Sequence, residues 1–234
     1  MSTAGRLPNL SAALAGTRAA TQTAGPWSGR RQLHVRFAVE AETAQIYSAD
    51  ALRGELSKAS GRSRYHSIAI VGRDALADVE FLCAAFVNAP ALPVMLDHDG
   101  QRPSELEGLL SALQLVQVSM DGSESGGAVE RVCRTMSTSA SRGVQHAVVM
   151  LPTEGVSDGP LLRIVEQIHH ASGAAQVVLH PPTSARPGED DARWAQWLER
   201  AMAAHSDVRV LPRWPVPPSP SGEGARGTRN VRSG

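Results

Sequence analysis

The chain has 234 residues, of which 42% are hydrophobic and 20% charged, a composition typical of a globular protein with a sizeable core. Lysine plus arginine and aspartate plus glutamate balance at 23 each. This balance excludes a general nucleic-acid binder, because such a protein needs surplus cations to displace the counterions of phosphates. No apolar run approaches the ~20 residues that span a bilayer, which excludes a membrane protein.

The two ends of the chain differ in composition from its middle. Residues 1–39 include no acidic residue, and their apolar part, 10–15, is too short for a secretory signal. We predict a disordered extension over 1–30 of a cytoplasmic protein, with an organelle-targeting segment as the alternative. Residues 214–234 are rich in Pro, Gly, Ser and Arg and predict a disordered tail. A single α/β domain over 31–213 remains between them.

Strand and helix patterns alternate along this domain. Period-two alternation and short apolar runs predict seven strands, over 33–39, 67–71, 93–96, 115–120, 145–151, 176–179 and 208–211. Apolar stripes at helical spacing predict helices over 49–59, 76–87, 106–113, 129–136, 161–168 and 194–202. Strands that alternate with helices imply right-handed crossovers and a parallel sheet. We therefore predict an α/β fold, an incomplete (β/α) barrel of six to seven strands, with an open doubly wound sheet as the alternative.

Polar residues follow several of these strands, at the edge where parallel α/β sheets bind ligands. Carboxylates and an imidazole at one edge could hold a divalent metal or exchange protons in catalysis. The alternative for 97–100 is a simple turn, since Asp and Gly are common turn residues. The glycine-rich stretch 122–127 precedes a helix and could receive a phosphate, although it lacks the dinucleotide and P-loop motifs. The strand-end residues are Asp97, Asp99, Gly100, Ser119, Asp121 and His180.

The order of these strand ends resembles the radical S-adenosylmethionine superfamily, in the branch of the activating enzymes and 7-carboxy-7-deazaguanine synthase. One glycine, Gly72, stands where that family has a G-G-E-P motif after its second strand. Residues 97–100 resemble the turn after its third strand, and Ser119 with Asp121 resemble the pair after its fourth. The resemblance covers about 33–212. It implies a cofactor site formed by Gly72, Asp97, Asp99, Gly100, Ser119, Asp121 and His180.

The defining motif of that family is missing from this chain. The family carries C-x-x-x-C-x-x-C after its first strand, where three thiolates hold a [4Fe-4S] cluster. Residues 40–46 contain no cysteine, and Cys83 and Cys133 lie on separate helix stripes. The resemblance therefore implies a chain without a [4Fe-4S] cluster and without radical chemistry, for which S-adenosylmethionine remains a candidate ligand.

Three hypotheses about function follow. The first is a radical-SAM-like pseudoenzyme without a metal, which binds a partner or a small nucleotide-like ligand. The second is a metal-assisted enzyme that uses Asp97, Asp99, Asp121 and His180. The third is an interaction scaffold whose arginine-bearing ends carry the function. A protein partner or a homodimer is expected because a partly closed barrel leaves an open sheet edge.

Overall fold

The computed structural model describes residues 10–39, 43–62, 64–72, 74–87, 91–124, 126–182 and 187–212. The strands are β1 (Ser11–Thr21), β2 (Arg31–Phe37), β3 (Gln45–Ser48), β4 (Ser67–Val71), β5 (Val94–His98), β6 (Leu115–Met120), β7 (Gln145–Met150), β8 (Gln176–Leu179) and β9 (Val208–Val210). The α-helices are α1 (Ala49–Arg62), α2 (Val79–Phe86), α3 (Pro103–Leu109), α4 (Gly126–Ser141), α5 (Asp158–Ala171) and α6 (Pro187–Ala204). Within the described ranges, no helix is both long and apolar enough to cross a bilayer.

The strands form one sheet, in the order β3-β1-β2-β4-β5-β6-β7-β8-β9. β1 is antiparallel to β2 and β3, whereas β2 and β4 to β9 are parallel and follow one another in sequence order. Right-handed crossovers in this order keep the connecting helices on one face. The predicted α/β class with a parallel sheet is confirmed. The predicted number of strands is too low, and the doubly wound alternative is wrong because the parallel strand order never reverses.

The N-terminal segment is ordered where disorder was expected. Residues 10–30 form β1 and the turn that follows it, and Ala12 and Leu14 are buried. The sequence of β1 is rich in Ala and poor in β-branched and aromatic residues, so its own strand preference is weak. Hydrogen-bonded pairing with β2 on one side and β3 on the other therefore stabilises β1 as a strand. Residues 1–9 of the expected extension and the tail at 214–234 lie outside the described residues.

One face of the sheet packs against the helices and contains most of the core. Val35, Ile70 and Leu96 from successive strands are fully buried in one cluster with residues of α1, α2 and α3. A second cluster joins β6 to β9 with α4, α5 and α6, and includes the fully buried Trp197. The apolar stripes of the helices therefore face the sheet as predicted.

The second face of the sheet is covered by a stretch of chain rather than by helices. Trp27 packs against one buried cluster of this face, and Ala24 belongs to a second. Both residues belong to the connection between β1 and β2, which we name the 22–30 turn. Backbone hydrogen bonds from Gln22 N–H to Arg30 O (2.9 Å) and from Gly29 N–H to Gln22 O (2.8 Å) close this turn. The residues of the second face beneath it are Ala69, Met95, Leu115, Ala147, Val149 and Val178.

Candidate functional site

The edge where the parallel strands end, here called the C-terminal edge, contains the carboxylate of Asp97 on β5. Its Oδ2 accepts a hydrogen bond from Gln117 Nε2 (2.9 Å) and its Oδ1 accepts one from Ser119 Oγ (3.0 Å), both on the neighbouring β6. The Gln22 side chain is a third partner. Burial raises the pKa of Asp97, and the bonds from Ser119, Gln117 and Gln22 oppose this rise because they stabilise the charged form. Asp97 thus joins two strands to the 22–30 turn.

His180, directly after β8, makes a second connection to the same turn. Its side chain is fully buried. The Gly25 backbone N–H donates to Nε2 (2.9 Å), so Nε2 must be the acceptor nitrogen. Nδ1 then bears the proton and donates to the carbonyl oxygen of Pro212 (3.2 Å). His180 is therefore a neutral imidazole with both ring nitrogens bonded within the chain.

Gly25 lies in close contact with the second face. A Cβ at this position would lie 1.9 Å from Gln117 Oε1 and 3.0 Å from Val149 Cγ2, and its φ of +88° favours glycine. The Gln117 oxygen is buried and has no hydrogen-bond partner within the described residues. The approach of the turn to the sheet is therefore tight enough to require glycine.

Asp99 and Gly100 do not join Asp97. β5 ends at His98, and Asp99 is exposed. The Asp99 carboxylate accepts hydrogen bonds from the backbone N–H of Gln101 (3.1 Å) and from its side-chain amide (2.8 Å). Gly100 has a φ of +77°, and a Cβ there would lie 3.1 Å from Val132 Cγ2. β5 stops at His98, so Asp99 is not part of the strand that carries Asp97; Asp99 and Gly100 form a turn.

Gly72 and Asp121 each belong to a local turn of their own. A Cβ at Gly72, where φ is +111°, would lie 2.6 Å from the carbonyl oxygen of Phe37, so the backbones of β2 and the β4 exit nearly touch. Asp121 Oδ1 accepts bonds from Ser123 Oγ (2.6 Å) and Ser123 N–H (2.8 Å). These bonds lower the pKa of Asp121, and the bond from the Ser123 hydroxyl has the larger effect. Neither residue contacts Asp97 through a described hydrogen bond.

At the glycine-rich stretch after β6, backbone N–H groups already donate to a carboxylate of the chain. The carboxylate of Glu124 accepts the backbone N–H groups of Asp121 and Gly122, each at 2.7 Å. Successive backbone N–H groups of this kind form a nest, the arrangement that receives phosphates in other proteins. Two backbone donors at the start of this stretch are therefore already bonded to Glu124.

His98 lies on the opposite side of β5 from Asp97, facing the helices. It is 5% exposed, and its Nε2 has no hydrogen-bond partner within the described residues. Burial lowers its pKa to about 4, and the charge of Asp99 opposes this only in part. His98 is therefore a neutral core residue at pH 7.

The [4Fe-4S] cluster that the family uses does not fit the residues of this chain. Cys83 on α2 and Cys133 on α4 are its two cysteines, and the Cys83 thiol donates to the carbonyl oxygen of Gly108 (3.3 Å). Burial raises the pKa of both thiols, which disfavours the thiolate that iron requires. Among the residues that the structure describes, no three His, Cys, Asp or Glu side chains lie together as metal ligands.

The structure thus brings together Asp97 and Ser119, and links His180 to the same turn. It leaves Asp99, Gly100, Asp121 and Gly72 in separate turns. Sequence reasoning missed Gln22, Gly25 and Gln117. A glutamine inside the apolar run of β6 was a usable signal, because a polar side chain in a buried strand needs a partner. For Gln22 and Gly25 the sequence offers no comparable signal.

Neither a protein-family model nor a curated protein matches this chain. Similar solved structures include the apo form of an Escherichia coli protein assigned as a ribokinase II, at 12% identity and a TM-score of 0.32, which covers 76% of this chain and 67% of that one. They also include the YdjI aldolase of Escherichia coli, at 9% identity and a TM-score of 0.27, over 70% of this chain and 69% of that one. At these TM-scores the likeness carries no inference about fold or activity.

Proposed function

We propose that this chain is a radical-SAM-like pseudoenzyme, related in layout to the 7-carboxy-7-deazaguanine synthase-like branch, that acts by binding rather than by catalysis. In this proposal the parallel sheet curves as an incomplete (β/α) barrel, with the helices outside and the 22–30 turn inside. The unreversed order of β2 and β4 to β9 supports this layout, because consecutive right-handed units wind in one direction around a barrel.

The main support for the proposal is that the side chains of Asp97 and His180 form hydrogen bonds within the chain. A general acid or base needs an atom within hydrogen-bond reach of the substrate. Both oxygens of Asp97 accept hydrogen bonds from β6, and both ring nitrogens of His180 are bonded to Gly25 and Pro212. These groups hold the 22–30 turn against the sheet.

S-adenosylmethionine, the candidate ligand that the resemblance implies, would have to compete with the turn for the same groups. Its site would include Asp97, Ser119 and His180, whose partners are already in place. The proposal therefore expects the chain not to bind this cofactor at micromolar strength. The residues orient and stabilise their own turn, and no proton transfer is assigned to them.

The test is a calorimetric titration of the full chain with S-adenosylmethionine in the absence of iron. No saturable heat is expected at micromolar ligand. Micromolar binding that is lost in Asp97→Asn but kept in Asp99→Asn would overturn the proposal, because it would show a cofactor pocket at Asp97. Asp99→Asn is the matched control, since its carboxylate bonds only within its own turn.

A second measurement tests the absence of catalysis. The chain is reconstituted anaerobically with iron and sulfide, reduced with dithionite and incubated with S-adenosylmethionine. No 5′-deoxyadenosine is expected. Stoichiometric release of that product would overturn the proposal whatever the titration shows.

A further inference from the structure

We infer that the opposite edge of the sheet, where the parallel strands begin, binds a mononucleotide: a planar base together with a phosphate. This inference rests on the proposed function only in that the chain acts by binding. The residues involved are separate from Asp97, Ser119 and His180.

A groove of about 570 Å³ lies at this N-terminal edge. It is bounded by the 22–30 turn and by the segments that lead into β4, β5, β6 and β7. A groove of this size lies in the range that small ligands occupy. Its lining includes the aromatic and polar residues Trp27, His66, Gln114, Arg142 and Gln145.

Two aromatic rings form one wall of the groove. The rings of Trp27 and His66 meet edge to face, with centroids 5.0 Å apart and an interplanar angle of 74°. Trp27 also packs against the buried cluster of the second face to which Met95 and Ala147 belong, so its indole is held by the core. A preformed aromatic surface suits a nucleobase, because every base has a π-face that stacks on such rings.

His66 gives this wall a polar group that can bond to a base. Gln32 Nε2 donates to Ser67 Oγ (2.9 Å), and the same hydroxyl lies 3.0 Å from His66 Nδ1, to which it can bond in either tautomer of the ring. Burial, followed by the positive charge of Arg30, lowers the pKa of His66, which keeps the ring neutral at pH 7. The Nε2 atom of a neutral imidazole donates to a base carbonyl when it bears the proton and accepts from a base amino group when it does not.

Arginine side chains at the groove favour an anionic ligand. Arg142 lines it and pairs with Glu107, and both side chains are more than half exposed, so a phosphate can compete for the guanidinium. Arg30 is exposed and close enough to His66 to affect its pKa. Exposed arginines also stand at the start of β2 (Arg31) and before β4 (Arg64). A phosphate bound in the groove would therefore meet the Arg142 guanidinium.

The test uses adenosine monophosphate as the probe, titrated into the full chain and followed by calorimetry and by amide and indole NMR shifts. Saturable binding with a dissociation constant of roughly 1 mM or tighter is expected, with the shifts centred on the Trp27 indole and on 142–145. Adenosine and inorganic phosphate are titrated separately. Each is expected to bind at least about tenfold more weakly than the nucleotide, because each lacks one half of the ligand.

Two variants locate the site. Arg142→Gln is expected to weaken nucleotide binding by about three- to tenfold while leaving adenosine binding unchanged. Arg134→Gln is the matched control, since this exposed arginine lies on α4, the helix that ends just before Arg142, and pairs with Glu130 at 3.6 Å; it should not alter binding. Trp27→Leu is expected to weaken both the nucleotide and the nucleoside by about tenfold.

Three outcomes would overturn the inference. They are the absence of saturable nucleotide binding, an equal effect of Arg142→Gln and Arg134→Gln, and binding of phosphate alone as strong as that of the nucleotide. The Asp97→Asn variant separates this site from the proposed function. Nucleotide binding should be unchanged in that variant, and its loss there would place the ligand at the C-terminal edge instead.

Discussion

The polar groups at the two edges of the parallel sheet are completed in different ways. At the C-terminal edge, the carboxylates of Asp97, Asp99, Asp121 and Glu124 accept hydrogen bonds from neighbouring side chains and backbone. At the N-terminal edge, the exposed Arg142 and the rings of Trp27 and His66 line an open groove. The contrast teaches that polar residues at strand ends do not by themselves mark a ligand site; what matters is whether the chain already satisfies them.

The change expected to have the largest effect removes the close contact of the turn with the sheet. Gly25→Ala places a methyl group 1.9 Å from Gln117 Oε1 at a φ of +88°. Steric overlap and backbone strain together should lower the free energy of unfolding by about 4 kcal/mol. Urea denaturation measures this.

Gly143→Ala at the other edge is the matched control for this substitution. Gly143 also has a positive φ, +69°, but a Cβ there meets no atom within 4 Å. Only the strain should remain, about 1 kcal/mol. Equal losses in the two variants would show that the 22–30 turn is not pressed against the sheet, and the contrast between the edges would fail.

Acid should weaken the C-terminal end of β5. The pKa of His98 is lowered by burial from 6.5 to about 4. Between these values the unfolded chain binds a proton that the folded chain does not, so stability falls as the pH drops through this window, by up to about 3 kcal/mol. Urea denaturation at several pH values between 7 and 4 measures the slope.

His98→Leu should reduce that slope; the part that remains comes from other histidines such as His34, whose pKa burial also lowers to about 4. His170→Gln replaces an exposed histidine of α5 and should leave the slope as it is in the parent chain. If the two variants have the same pH dependence as each other, burial of His98 is not the cause of the acid sensitivity.

Asp97 should act in the opposite direction. Its pKa is raised, first by burial, so the folded chain holds the proton more firmly than the unfolded chain. This group therefore stabilises the fold as the pH falls through its folded pKa towards the ordinary value for aspartate. Asp97→Asn should remove that contribution. A difference in unfolding free energy between variant and parent that does not change with pH would contradict a raised pKa.

The smallest effect on stability is expected at the N-terminal edge. Arg142→Gln breaks an ion pair whose members are 57% and 58% exposed, so the free energy of unfolding should change by less than about 0.5 kcal/mol. Thermal denaturation checks this. A large loss would mean that Arg142 stabilises the fold. The location of the nucleotide site would then be judged from the Trp27→Leu variant instead.

The sequence predicts the parallel strands well and the first strand poorly, for physical reasons. The run 67–71 is apolar, β-branched and followed by glycine, so local pattern and final environment agree. β1 has no such pattern, because its order depends on the two strands that flank it. Local periodicity cannot report on pairing that is made elsewhere in the chain.

The site follows the same division. Asp97 and Ser119 could be placed at a common edge, because neighbouring parallel strands end together. Asp99 does not belong to this group because β5 stops at His98. The alternation of side chains along a strand does not fix the residue at which the strand ends. The contact of Gly25 with His180 lies beyond any local pattern, since it joins parts of the chain that the sheet alone brings together.

That contact has a consequence for how the chain acquires its structure during synthesis. The hydrogen bond from Gly25 to His180 spans 155 positions, so the segment that leaves the ribosome early receives its partner only after most of the chain has been made. Until β8 has joined the sheet, the apolar second face lacks part of its cover and is open to self-association. Low temperature or a chaperone during expression should therefore improve the yield of folded chain, as measured by the soluble fraction.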